Sequence, residues 1–298
     1  MTVPTESARP SAADAEPRPL SADVDLFGLT DRGQVRKENQ DQFLIATLHK
    51  LLRVHQASLP ADDITPLISD SRGWLFLVAD GVGGQPDGQA ASGTAVRSIA
   101  HYVTHLTDLY RRLDPDKEHV FLAELEQSVK KTHELLRAES DKEYGGRGGA
   151  TTLTMVAALW PRAYLVQVGD SRCYRLRKGK LELMSKDQTV AQALVDSGAL
   201  TQTEARRSPL QGVLASALGG REASPMTRTT EIRWDDVMLL CTDGLTKHVT
   251  DAEIETELGQ IRSAEESCRR LVGLALERGG TDNVTVVIAR LKSKLPGA

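Results

Sequence analysis

The sequence predicts an α+β fold in which antiparallel sheets stack in layers and helices cover the outside. Three observations predict it. Apolar runs of strand length recur along the chain, and two long helical stripes follow one another with no strand between them. The overall order is strands, two helices, strands, then a helix and a strand, which is not the regular alternation of a parallel α/β sheet.

The elements can be justified in order. Residues 1–23 carry Pro4, Pro10, Pro17 and Pro19 and almost nothing large to bury, so ordering them would cost entropy with no core to offset it. A disordered tail is expected there. Residues 25–30 and 41–47 read as a first strand pair joined across Asp31, Arg32 and Gly33. Residues 48–72, with Pro60 and Pro66, read as a surface insertion. The unbroken apolar run 74–79 suits a strand covered on both faces.

Over 89–113, Ala95, Ile99, Tyr102, Leu106, Leu109 and Leu113 recur in steps of three and four, one face of a helix. Leu122, Leu125, Val129, Thr132 and Leu136 form a second such stripe. Residues 151–160, 162–168, 237–241 and 284–291 predict further strands, 176–184 a hairpin turning at Lys178 and Gly179, and 264–277 a last helix. One domain over 24–291 is expected, followed by a short tail at 292–298.

Composition bounds the function. The 298 residues hold 37 Lys and Arg against 41 Asp and Glu, a net charge of −4, which provides no basic field for nucleic acid. No apolar stretch approaches the roughly 18 residues that cross a bilayer, and the N-terminus lacks a signal-peptide core. No membrane partner and a cytoplasmic location are expected. Cys173, Cys241 and Cys268 have no paired spacing for zinc or a disulfide framework, so they are expected to be reduced and packed.

The chemistry sits where strands end. Asp80 follows run 74–79, Asp170 follows 162–168, Asp243 follows 237–241, and Asp282 precedes the last strand. Glycines adjoin or closely precede each, as a crowded site demands. A single Asp-Gly pair is an ordinary turn. Four acids at the ends of strands that share a sandwich are different: gathered at one edge they would raise one another's pKa unless cations neutralised them. Oxygen ligands without His or Cys select magnesium or manganese over zinc.

Other features are weaker. His101 and His105 stand at i, i+4 with no evident third ligand, so a solvated helix face accounts for them. His133-Glu134 lacks the second His of a zincin, and no Gly-Lys-Ser/Thr follows the glycines at 145–149.

Five segments occur in an order that resembles the metal-dependent protein phosphatases, the PPM or type 2C family, especially its bacterial branch. They are Arg36-Lys-Glu-Asn-Gln-Asp41, Val78-Ala-Asp-Gly-Val-Gly-Gly84, Val168-Gly-Asp-Ser-Arg172, Thr242-Asp-Gly-Leu245 and Gly280-Thr-Asp-Asn-Val-Thr285. The resemblance spans about residues 24–291. It implies a four-layer α-β-β-α sandwich and hydrolysis of phosphoserine and phosphothreonine in proteins.

It also implies roles. Asp80 would bridge two metal ions, with the Gly81 carbonyl as a further ligand; Asp243 and Asp282 would complete the other ion's shell. Asp41 would hold a water of the centre, and Asp170 with Asp243 a third ion, all Mn²⁺ or Mg²⁺. Arg36 would grip the substrate phosphate, and Asn283 would lie near the reacting water. Paired ions activate a water and spread phosphoryl charge, so no protein nucleophile is required. The implied partners are phosphorylated proteins opposed by a Ser/Thr kinase, and the chain is expected to be a monomer.

Three departures stand out from the family pattern. Val82 replaces a frequent His, Gln40 a frequent Glu, and Lys186-Asp187-Gln188-Thr189 a common Asp-His-Ser. Residues 196–216 match the variable flap of bacterial relatives, a loop that commonly sets specificity, and Arg206 and Arg207 within it read as a solvated pair. Two alternatives fit less well. An aspartyl-phosphate hydrolase of the haloacid dehalogenase type needs an acid two residues from its nucleophilic Asp, which neither Asp80 nor Asp243 has. A catalytically silent relative that binds phosphoproteins would be marked by lost metal acids, and all five are present.

Overall fold

Side chains alternate along a strand, so the two faces of Gly73–Val82 (β4) enter different cores. Leu75, Leu77 and Ala79 join one apolar cluster, Trp74, Phe76 and Val78 another. Two strands near the C-terminus behave alike. In Val237–Cys241 (β11), Met238 and Leu240 face the second cluster while Val237, Leu239 and Cys241 face a third. In Val284–Leu291 (β12), Val287, Ala289 and Leu291 separate from Val284, Val286 and Ile288 in the same way. Three cores require four layers.

The computed structural model describes residues 18–48, 52–58, 73–83, 87–106, 118–144 and 148–292. The other strands are Val24–Asp31 (β1), Asp41–Leu48 (β2), Leu52–Ala57 (β3), Ala150–Thr151 (β5), Leu153–Leu159 (β6), Arg162–Val168 (β7), Arg172–Arg177 (β8), Lys180–Leu183 (β9) and Met226–Glu231 (β10). One sheet runs β1-β12-β11-β8-β9 and the other β10-β7-β6-β4-β2-β3, with β5 paired to β4. Every pairing is antiparallel. The middle cluster lies between the sheets. Asp87–His105 (α1) and Glu118–Tyr144 (α2) cover the second sheet, and Asp251–Gly259 (α6) and Ala264–Glu277 (α7) the first. Between them come three short helices, Val190–Asp196 (α3), Gln202–Ala205 (α4) and Asp243–Thr246 (α5). The result is the α-β-β-α sandwich, an α+β fold.

Several expectations change. β1 and β2 are not a pair: β1 bonds β12 along its whole length, while β2 bonds β3 and β4 in the opposite sheet. A short connection can cross between stacked sheets as easily as turn within one. Within the expected surface insertion at 48–72, Leu52–Ala57 is an edge strand on β2 with a register shift between Ile45 and Ala46. The first helix ends at His105, and its predicted continuation to 113 reaches residues outside those described beyond Leu106. Most of the predicted tails and residues 145–147 of the glycine cluster also lie outside the described residues. Cys173, Cys241 and Cys268 are free and buried, as expected. Among the described residues no helix is long and apolar enough to cross a membrane.

Candidate metal centre

The sandwich brings the ends of five strands to one rim. At the start of β2, Asp41 stands directly opposite Asp80 of β4 in the antiparallel register. From the facing sheet, β11 ends one residue before Thr242-Asp243, and β12 begins just after Asp282-Asn283. Asp170 follows β7. A cavity of about 520 Å³ opens on this rim, lined among others by Asp80, Gly81, Asp170, Asp243 and Asp282, with Arg36 at its edge.

Backbone bonds hold the rim in place. The Asp80 N–H donates to Thr152 Oγ1 at 2.9 Å, and its carbonyl accepts from the Thr151 hydroxyl at 2.9 Å. Asp41 is buried, and its Oδ2 accepts from the hydroxyls of Thr242 at 2.8 Å and Thr285 at 2.7 Å, one from each central strand end of the other sheet. Gly169 has φ +100°, and a Cβ there would press on the Thr152 side chain, so only glycine passes the chain to Asp170 at this point. Gln188 anchors the same turn, its Oε1 accepting from the Gly169 N–H at 2.9 Å and its N–H donating to the Gly169 carbonyl at 2.9 Å. Arg172 clasps Asp187 with two bonds of 2.9 and 2.7 Å. The departure at 186–189 is therefore a working brace, which residue identity alone did not reveal.

Burial pushes the Asp41 carboxyl up to about 7, with the threonine bonds opposing and the charges of Asp243 and Asp282 adding to the rise. Asp170 is likewise pushed up to about 7, first by burial and then by Asp243. Asp80 lies well above the ordinary carboxylate range, through burial and then repulsion from Asp41, Asp243 and Asp170. Asp282 goes the other way: burial would raise it, but its bonds to Arg36 and Lys247 hold it below its ordinary value. Mutual repulsion among strand-end acids is what the sequence pattern anticipated.

Two protein cations stand among these acids. Arg36 reaches Asp282 with Nε to Oδ1 at 2.7 Å and Nη2 to Oδ2 at 2.9 Å. Lys247 Nζ lies 2.6 Å from Asp243 Oδ2 and 2.6 Å from Asp282 Oδ2. With these contacts made, no three acidic, His or Cys side chains among the described residues close on a common point. The residues nonetheless fit a hard cation. Asp41 Oδ1 and Asp243 Oδ1 are buried with no hydrogen-bond partner among the described residues, and the available donors are carboxylate and carbonyl oxygens.

Sequence reasoning missed Thr242, Thr285 and Lys247. Lys247 had a signal, its i+4 spacing from Asp243. Asn283, expected near the reacting water, commits its amide to the loop before β2: Oδ1 accepts from the Gln40 N–H at 2.9 Å, and Nδ2 donates to the carbonyls of Arg32 and Glu38 at 2.8 and 2.9 Å. The 196–216 segment is tied at its base by Val190 N–H to Val213 O and Ala215 N–H to Gln188 O, both 2.8 Å, so residues 212–217 form one wall of the cavity. His101 and His105 are exposed on α1, their Nε2 atoms 3.2 Å apart.

The protein phosphatase 2C family profile matches residues 53–276. The chain belongs to that family. Its type 2C relatives include the serine/threonine protein phosphatase PstP of Mycobacterium tuberculosis, 39% identical over 216 residues, 72% of this chain but 40% of PstP. The chain thus spans less than half the length of that relative. The serine/threonine phosphatase stp of Listeria welshimeri is 30% identical over 262 residues, covering 87% of this chain and 92% of stp. A crystal structure of M. tuberculosis PstP superposes with TM-score 0.71 at 34% identity, over 91% of this chain and 99% of that one. A structure of the PstP catalytic domain in complex with two manganese ions gives TM-score 0.68 at 34% identity, with the same coverage. Membership of the type 2C family agrees with the sandwich described above.

In the metal-free protein the raised acids predict a pH dependence. A carboxyl near 3.8 when unfolded and near 7 when folded binds more protons in the native state across that window. Its stabilising contribution is complete below the unfolded value and is lost as pH rises through the folded one. The unfolding midpoint in chelator should therefore be higher at about pH 6 than at about pH 8. Salt-bridged acids such as Glu253, held low by its bonds to Arg278, act oppositely only at more acidic pH. Thermal melts across the window check the sign, and a midpoint rising with pH would contradict it.

Proposed function

We propose that this chain is a metal-dependent protein phosphatase that hydrolyses phosphoserine and phosphothreonine. The observation that carries the reading is the convergence of Asp80, Asp170, Asp243 and Asp282, from both sheets, on one cavity, with Asp41 directly opposite Asp80 behind it and two buried carboxylate oxygens unpartnered among the described residues. The names of the relatives and the manganese ions in the PstP structure support it.

In this reading Asp80, the Gly81 carbonyl, Asp243 and Asp282 would hold two Mn²⁺ or Mg²⁺ ions, Asp170 with Asp243 would hold a third, and Asp41 would orient a water. The ions, when bound, supply an activated water and stabilise charge on the phosphoryl group. The chain does the rest. Thr242 and Thr285 fix Asp41 in one rotamer, and Asn283 pins the loop that carries Arg36. The guanidinium of Arg36, whose two-point bond to Asp282 already shows its fork, presents matched donors to phosphate oxygens. The wall at 212–217 limits what reaches the cavity. Phosphorylated proteins as substrates, an opposing Ser/Thr kinase, a cytoplasmic location and a monomeric state belong to the same reading.

Phosphate release from a phosphothreonine peptide tests it. With Mn²⁺ the full chain should turn over that peptide, and more slowly a phosphotyrosine peptide of the same sequence. Absence of release despite measurable Mn²⁺ binding would favour a silent phosphoprotein-binding relative.

A further inference from the structure

Lys247 caps the short helix α5, one turn beyond Asp243, and its ammonium is shared between Asp243 Oδ2 and Asp282 Oδ2 at equal distances of 2.6 Å. It thus stands between two carboxylates that lie 39 positions apart in sequence. Asp282 is also held by Arg36, and Asp170 adds its field to the ammonium's surroundings. Asp243 keeps its other oxygen, Oδ1, buried and without a hydrogen-bond partner among the described residues.

We propose that Lys247 is a resident counter-cation: it neutralises Asp243 and Asp282 in the metal-free chain and competes with divalent metal for those same oxygens. The inference rests on the metal-centre reading above. An ammonium and a divalent ion cannot share Oδ2 of both acids, because like charges at ligand separation repel strongly in a partly buried site. Lysine suits an exchangeable occupant. Its charge sits on a flexible four-carbon stem, and its side chain is 39% exposed against 20% and 16% for its partners, so it has a way out into the cavity. The ammonium keeps the acid pair from repelling itself apart before metal arrives, and its displacement costs metal affinity.

Calorimetric titration of Mn²⁺ into the chelator-stripped full chain tests this. Lys247→Met should bind Mn²⁺ about tenfold more tightly than the unaltered chain. Lys247→Gln, which keeps a hydrogen-bond donor without the charge, should shift affinity the same way and covers the case in which the Met variant does not fold. Both should melt lower than the unaltered chain in chelator and alike with it in saturating Mn²⁺, a pattern that a merely structural lysine would not produce. Arg221 lines the same cavity, and Arg221→Met should leave affinity unchanged. Unchanged or weaker binding by both Lys247 variants, or an equal gain in Arg221→Met, overturns the role of Lys247. Failure of the unaltered chain to bind Mn²⁺ at all overturns the metal-centre reading itself.

Discussion

Asp80→Asn is expected to lower Mn²⁺-supported phosphate release by about 10³-fold or more while raising the melting temperature of the chelated protein. Both effects have one cause. Asp80 is the acid on which the other four exert their repulsion, and burial adds to the strain of its charge. In the proposed function that charge would help hold the ions; a loss of about 10³ corresponds to about 4 kcal/mol of transition-state stabilisation, within what a metal centre contributes. Without metal the charge only repels, so the neutral amide relieves the fold, and about 1 kcal/mol of relief would move the midpoint by about 2–4 °C in a domain of this size. An aspartate that merely closes a turn would lose stability and activity together. Steady-state assays and melts in chelator, on the same preparation, separate the two cases.

The second large effect is expected on metal removal. Chelator should take turnover to background, and Mn²⁺ or Mg²⁺ should restore it in full. A cation that binds only the folded chain also stabilises it by mass action, by about 2.7 kcal/mol at a hundredfold excess over its dissociation constant. The melting temperature should therefore climb with Mn²⁺ concentration, and the gain should shrink on acidification, when protons compete for Asp41, Asp80 and Asp170. Turnover that persists in chelator would exclude the proposed chemistry, and an unchanged midpoint would place any metal outside the carboxylate rim.

Much of this architecture was legible in the sequence for a physical reason. β4, β7, β11 and β12 are covered on both faces, by the other sheet and by helices, so their sequences are mostly apolar at consecutive positions and their ends are sharp. Arg162–Val168, Val237–Cys241, Ala264–Glu277 and Val284–Leu291 begin and end where the sequence pattern places them. What escaped notice lies at edges and in pairing. β10 reads Met-Thr-Arg-Thr-Thr-Glu, an edge strand with no apolar run, and only its threonines mark it. The partnership of β1 with β12 spans nearly the whole described chain, and no local pattern encodes it. α6 carries a local signal in the sequence, the capping box of Thr250 and Glu253.

The site divides in the same way. The strand-end aspartates are visible because glycines and apolar runs frame them. The groups that organise them are not. Thr242 and Thr285 look like ordinary strand-end residues until both hydroxyls meet Asp41 Oδ2. Asn283 lies inside a recognisable motif, yet its three backbone bonds to the 32–40 loop depend on tertiary placement alone. Arg36 and Lys247 converge on Asp282 from positions 246 and 35 residues away, a relation that only the folded chain exposes.

The most direct measurement is anomalous diffraction at the manganese edge from crystals of the full chain soaked in Mn²⁺. At least two peaks are expected on the cavity rim, bounded by the carboxylates of Asp80, Asp243 and Asp282, with the Lys247 ammonium moved away from Asp243. Peaks elsewhere, or none while Lys247 and Arg36 still clasp Asp243 and Asp282, would contradict it.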